Sequence, residues 1–123
     1  MIKIATDKAP SAIGPYSQAV VCGGMVYTSG QIAIVPESGN IEASDVVGQT
    51  EQVMKNLGEV LTAAGSSYDK AVKTTCFLAD IADFAKFNEV YGKYFMSKPA
   101  RSCVAVKDLP KGALVEVEVI AEI

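Results

Sequence analysis

From Asp45 to Ala64 the apolar residues Val46, Val53, Met54, Leu57, Val60, Leu61 and Ala64 recur at three- and four-residue spacing. That period predicts a helix with one buried face, with Ser44 as its N-cap and Gly65 as the left-handed residue past its end. A second helix is predicted after Asp80, where Ile81, Phe84, Phe87, Tyr91 and Tyr94 form one stripe and Pro99 stops it. Ala71 to Ala79, rich in Val, Thr and Phe, reads as a strand between them. Val20-Val21-Cys22 and Met25-Val26-Tyr27 flank Gly23-Gly24, a tight hairpin in which both turn residues take positive φ. Arg101–Val106 and Leu114–Ala121 are two further strands around Leu109-Pro110-Lys111-Gly112, read as a terminal hairpin. The order predicts an α+β fold, two helices layered on one face of a mixed sheet, in one domain spanning 1–123.

Strand alternation then assigns faces. Val115, Val117 and Val119 point one way, and Leu114, Glu116, Glu118 and Ile120 the other. The valines suit the helix-covered side. The opposite set, mixing Leu and Ile with carboxylates, suits a subunit interface with sites in it, so an oligomer is expected. In the preceding strand Ser102, Val104 and Val106 alternate with Arg101, Cys103 and Ala105. If the two valine sets share the helix side, Arg101 and Cys103 join Glu116 and Glu118 on the open face, with opposed Cβ atoms ~5 Å apart.

Composition narrows the chemistry. The chain has 123 residues, half of them apolar, and a net charge of -3. That is enough for a hydrophobic core. No stretch approaches the ~20 apolar residues of a membrane span. Cys22, Cys76 and Cys103 are odd in number and lack CxxC spacing, so they read as free thiols without a zinc site. The opening residues carry no basic-then-apolar signal, and a cytoplasmic location is expected. The lysines are scattered, leaving no basic stripe for phosphates, so no nucleic-acid partner is expected. The absence of histidine excludes Ser-His-Asp and Cys-His nucleophiles and removes the commonest transition-metal ligand. Acid–base work falls to Glu, Asp, Lys, Tyr, Cys or water.

Arg101 is the only arginine. Its planar fork matches a carboxylate with two parallel hydrogen bonds and stays charged at any working pH. On residues alone it is either an anchor for a carboxylate-bearing small molecule or half of an internal ion pair with Glu118. Cys103 without histidine reads more readily as apolar filler than as a nucleophile. Nothing distinguishes Glu116 from Glu118 as acid and base. Gly14-Pro15-Tyr16-Ser17-Gln18 is a turn entering a strand, and Ser29-Gly30-Gln31 a loop that could expose backbone N–H groups. Neither is specific alone.

Together, several segments resemble one family: Ile13-Gly14-Pro15-Tyr16-Ser17-Gln18-Ala19, Thr28-Ser29-Gly30-Gln31-Ile32, Lys73-Thr74-Thr75-Cys76-Phe77-Leu78, and Pro99-Ala100-Arg101-Ser102-Cys103-Val104-Ala105-Val106 through Leu109-Pro110-Lys111-Gly112-Ala113-Leu114-Val115-Glu116-Val117-Glu118. The chain resembles the reactive intermediate deaminase (Rid, formerly YjgF) family, its RidA branch in particular, from about Ile4 to Ala121. The resemblance implies a chorismate-mutase-like fold assembled as a homotrimer with clefts between subunits. It implies cofactor-free hydrolysis of 2-aminoacrylate-type enamines and their imines, 2-iminopropanoate and 2-iminobutanoate, to 2-keto acids and ammonia, which protects other enzymes from damage. Arg101 would hold the substrate carboxylate and Glu116 would orient the attacking water. The Cys103 backbone would help position water or the substrate nitrogen, while Tyr16 and Ser29 would line the cleft from across the interface. No metal is implied. The competing reading is a non-catalytic protein that binds keto acids or amino acids in the same cleft. RNA cleavage, attributed to animal relatives, sits poorly with the acidic balance.

Overall fold

A computed structural model describes residues 1–123. Its main sheet has six strands: β1 (Ile2–Ile4), β2 (Ala19–Cys22), β3 (Met25–Thr28), β6 (Ala71–Leu78), β7 (Ala100–Ala105) and β8 (Val115–Glu122). Their spatial order is β1-β2-β3-β8-β6-β7. A separate two-stranded ribbon pairs β4 (Ile34–Val35) with β5 (Asn40–Ile41). Helices α1 (Val46–Ala63) and α2 (Phe84–Tyr94) pack against one face of the large sheet. The α+β architecture with two helices on a mixed sheet is as the sequence predicts.

The local chemistry explains the element ends. Gly23 and Gly24 both take positive φ, 60° and 76°, in the hairpin joining β2 to β3. Helix α1 starts one residue later than predicted: Asp45, not Ser44, is the N-cap, its carboxylate accepting from the Gly48 N–H at 2.9 Å. At the other end Gly65 takes φ 82° and donates to the Thr62 carbonyl, while Ser66 N–H reaches Leu61. This pair of bonds satisfies carbonyls the helix leaves free. Asp80 caps a short 3₁₀ turn, Ile81–Asp83, which leads into α2.

The core lies between this face and the helices. Val53, Met54, Leu57, Val60 and Leu61 of α1 and Phe87 and Val90 of α2 meet Val26, Cys76, Leu78, Val115, Val117, Val119 and Ala121 of the sheet. Each fully buried aliphatic side chain contributes about 1.5–3 kcal/mol. The valine face of β8 is helix-facing, as its alternation indicates.

The terminal strands depart from expectation. β7 and β8 do not form a hairpin, because β6 lies between them, parallel to β7 and antiparallel to β8. A parallel pair needs a long crossover, and α2 supplies it. The register also reverses the expected face of β7. Arg101 pairs with Thr74, which pairs with Val119, and Cys103 pairs with Cys76, which pairs with Val117. Arg101 and Cys103 therefore share the helix-covered side with the buried valines. Glu116 and Glu118 lie on the opposite side with Phe77 and Thr75. An Arg101–Glu118 ion pair is excluded on the same grounds. The misleading signal was Val104, read as core-facing but 45% exposed on the open face of an edge strand.

Candidate functional site

The candidate site residues divide into two groups, one on each sheet face. On the helix side, Arg101 extends from β7 beneath α2. Its guanidinium carbon lies 4.8 Å from the Tyr91 ring centroid and 5.4 Å from that of Phe84. Its Nη1 donates to Asn88 Oδ1 at 2.7 Å. Phe84, Asn88 and Tyr91 sit at i, i+4 and i+7 of α2, on one helical stripe. Tyr91 is buried, and its hydroxyl is hydrogen-bonded to that of Thr74 at 2.7 Å. A cleft of about 490 Å³ opens here, lined by Tyr91, Gly92, Phe95, Lys98, Pro99 and Arg101 among others.

Cys103 follows two residues along the same side. Burial pushes its thiol pKa up, and the Arg101 charge offsets only part of this. Burial likewise drives its register neighbour Cys76 up to about 12. Both thiols are protonated at neutral pH, so neither is a thiolate nucleophile.

On the other face, Glu116 forms the floor of a cleft of about 480 Å³ walled by Pro10, Ile13, Tyr16, Gly30, Ile32 and Lys111 among others. Paired hydrogen bonds between Gln31 and Val117, 2.9 and 3.1 Å, clamp the Ser29–Gln31 loop beside it. Gly30 leaves room for the carboxylate in this position: a Cβ there would lie 2.8 Å from both Cδ and Oε2 of Glu116. Burial first, and the charge of Glu118 second, raise the Glu116 carboxyl above the ordinary carboxylate range. A half-buried carboxylate raised in this way is a stronger base than an exposed one.

Tyr16 is 53% exposed at the cleft rim. Ser29 is half-buried, and its hydroxyl donates to the Ser17 carbonyl at 2.6 Å while its N–H donates to the Gln18 carbonyl at 2.9 Å. It braces the loop beside the cleft rather than forming its wall. Gln18, 3% exposed, ties the segment before Tyr16 in place, accepting from the Thr6 N–H at 2.7 Å and donating to the Pro10 carbonyl at 2.7 Å. No group of three or more His, Cys, Asp or Glu side chains is gathered for a metal.

The structure thus brings Tyr16 and Glu116 together, with Ser29 beside them, and keeps Arg101 and Cys103 together on the other face. Sequence reasoning missed Asn88 and Gly30. Asn88 had a readable signal, a polar residue at helical spacing from Phe84 and Tyr91. Gly30 had none beyond its loop, because only the fold brings Glu116 against it.

Comparison with known proteins gives the family of the chain. Residues 6–123 match the family described as Endoribonuclease L-PSP. Human 2-iminobutanoate/2-iminopropanoate deaminase is 50% identical over 119 residues, 96% of this chain and 87% of that protein. Among solved structures, YyfA of the Rid protein family from Yersinia pestis has a TM-score of 0.95 and 51% identity, covering 98% of each chain. Escherichia coli TdcF, solved with bound serine, has a TM-score of 0.94 and 44% identity, covering 100% of this chain and 99% of that one. With a match to nearly its whole length and half of its residues shared with a named member, the chain belongs to the L-PSP/Rid family.

Proposed function

We propose that this protein is a hydrolase that deaminates reactive enamine and imine acids, 2-aminoacrylate with its tautomer 2-iminopropanoate, and 2-iminobutanoate. The products are the 2-keto acid and ammonia, and removing the intermediates protects other enzymes. The observation that carries this reading is the pair of half-sites. One holds an arginine fork with a neutral amide as its hydrogen-bonded partner, and the other a carboxylate tuned to take a proton. The human relative is named for this reaction.

The half-sites lie on opposite faces, so one chain cannot close them on a single small molecule. A homotrimer of this 1–123 domain, with the open sheet faces turned inward and edge strand β7 of each subunit set against its neighbour, would bring Arg101 and Cys103 of one subunit to Glu116, Tyr16 and Ser29 of the next. The exposed Tyr27 and Val104 and half-buried Ile120 and Phe77 on that face favour such burial.

In this cleft Arg101 takes the substrate carboxylate with two N–H···O bonds. The imine carbon is already electrophilic, so the reaction needs one held water near ~3 Å and no covalent nucleophile. Glu116 accepts a proton from water as the oxygen bonds to the carbon of the protonated imine and the C=N electron pair moves to nitrogen, giving a neutral carbinolamine. Glu116 returns that proton to nitrogen, the C–N bond breaks with its electron pair leaving on ammonia, and the hydroxyl gives up its proton to the departing ammonia or solvent as the carbonyl forms. The enamine enters by first gaining a proton on its terminal carbon. No cofactor is required, no nucleic acid is involved given the net charge of -3, and the setting is cytoplasmic. No helix is long and apolar enough to cross a membrane.

A second reading, binding of an amino acid or keto acid without turnover, is favoured by the serine bound to TdcF. A serine dehydratase generating 2-aminoacrylate, with semicarbazide as a competing trap, separates the two. Faster pyruvate release on adding the protein supports deamination. No acceleration leaves only binding.

A further inference from the structure

Arginine side chains are long and flexible, and an unrestrained fork loses side-chain entropy each time it meets a carboxylate. Here contacts within the chain hold the fork. Tyr91 supplies a ring face whose plane is set from both ends: its hydroxyl is bonded to Thr74 at 2.7 Å and its ring stacks on Phe95 at 4.6 Å between centroids. Phe84 flanks the guanidinium at 5.4 Å, and Asn88 fixes its rotation through Nη1.

We propose that Asn88 and Tyr91 are positioning residues that pre-orient Arg101 for a substrate carboxylate, and that the neutrality of Asn88 is the feature that keeps the fork available. This rests on the reading of Arg101 as the substrate clamp. A guanidinium has five N–H donors, and an amide oxygen orients it by one bond while leaving its charge uncompensated. A carboxylate at position 88 would take two donors and neutralise the charge the substrate needs. Acidic residues lie close in sequence, at Asp83 and Glu89, yet the residue that meets the fork is an amide. Side-chain packing therefore presents the Asn88 acceptor to Arg101, and the substitution that best preserves this shape reverses its electrostatics.

The test compares wild type, Asn88→Ala, Asn88→Asp and Tyr91→Leu in the intact protein. Three quantities are read: thermal midpoint, kcat and KM for 2-iminopropanoate, and calorimetric affinity for 2-oxobutanoate against its uncharged amide. Asn88→Ala is expected to raise KM about tenfold with kcat largely kept, the loss of one charge-assisted hydrogen bond. Asn88→Asp is expected to raise it further, roughly a hundredfold, while its thermal midpoint equals or exceeds that of Asn88→Ala. Tyr91→Leu should raise KM about fivefold through loss of the cation–π contact. The uncharged amide should bind all four proteins alike. A merely structural role predicts the reverse for Asn88→Asp, whose new ion pair would leave binding intact or improve it. Equal affinities for 2-oxobutanoate in wild type, Asn88→Ala and Asn88→Asp would overturn the proposal. If wild type fails to accelerate imine hydrolysis, the deaminase reading falls, and the calorimetric comparison still decides the role of Asn88.

Discussion

Arg101 and Glu116 stand on opposite faces of one sheet, on β7 and β8, with β6 between them. Arg101 pairs in register with Thr74 and lies on the side of the buried valines, while Glu116 pairs with Phe77 on the open side. In the proposed site neither residue is sufficient within its own chain. The proposed chemistry therefore depends on assembly as much as on residue identity.

Arg101→Lys keeps the positive charge and removes the planar fork. The kcat/KM for 2-iminopropanoate should fall about a hundredfold, with the thermal midpoint little changed, because a point charge cannot make two parallel bonds. Steady-state kinetics beside a melting curve checks this. Turnover close to wild type would return Arg101 to a structural role.

Gly30→Ala tests the placement of the carboxylate. The added methyl would come within 2.8 Å of Glu116 Cδ and Oε2, the far end of a flexible side chain, which can swing aside. Stability should change little, yet a carboxylate displaced by about 1 Å should lower kcat roughly a hundredfold. Equal kcat in the two proteins would show that Glu116 does not need its observed position.

The pH profile should carry the mark of Glu118. Glu116 works as a base in its ionised form, so activity falls as pH drops through its raised pKa. Removing the like charge by Glu118→Gln lowers that pKa, and the acid limb of kcat/KM should move to lower pH. The limb reports the free enzyme, so the same assay on both proteins suffices. A limb that stays fixed would mean that another group titrates.

Stability should follow burial. Leu57→Ala, at a site 0% exposed, should cost about 3 kcal/mol in denaturant unfolding. Ile13→Ala, at a site 79% exposed, should cost less than about 0.5 kcal/mol.

Much of this fold was legible because periodicity, caps and turn glycines all agreed. Helix α1 and the Gly23-Gly24 hairpin are set by contacts a few residues apart. The face of β7 was not legible, because alternation gives only parity and cannot say which set turns inward on an edge strand. Val104 belongs to an apolar set that lies on the open face, and the parallel pairing of β7 with β6 depends on a crossover that no local pattern encodes. Family motifs named Arg101, Glu116, Cys103, Tyr16 and Ser29 as candidates. Their division between two faces came only from the register.

The central claim is that Arg101 and Glu116 act together across a subunit boundary. Complementation measures this directly: Arg101→Ala and Glu116→Gln are each purified as inactive proteins, mixed in equal amounts, unfolded and refolded together, and assayed for 2-iminopropanoate hydrolysis. In randomly mixed rings each site draws its arginine from one subunit and its glutamate from the next, so about a quarter of sites should be whole, the product of two even chances. Recovery of about a quarter of wild-type activity is the expected result. Mixed oligomers as inactive as their parents would contradict the account.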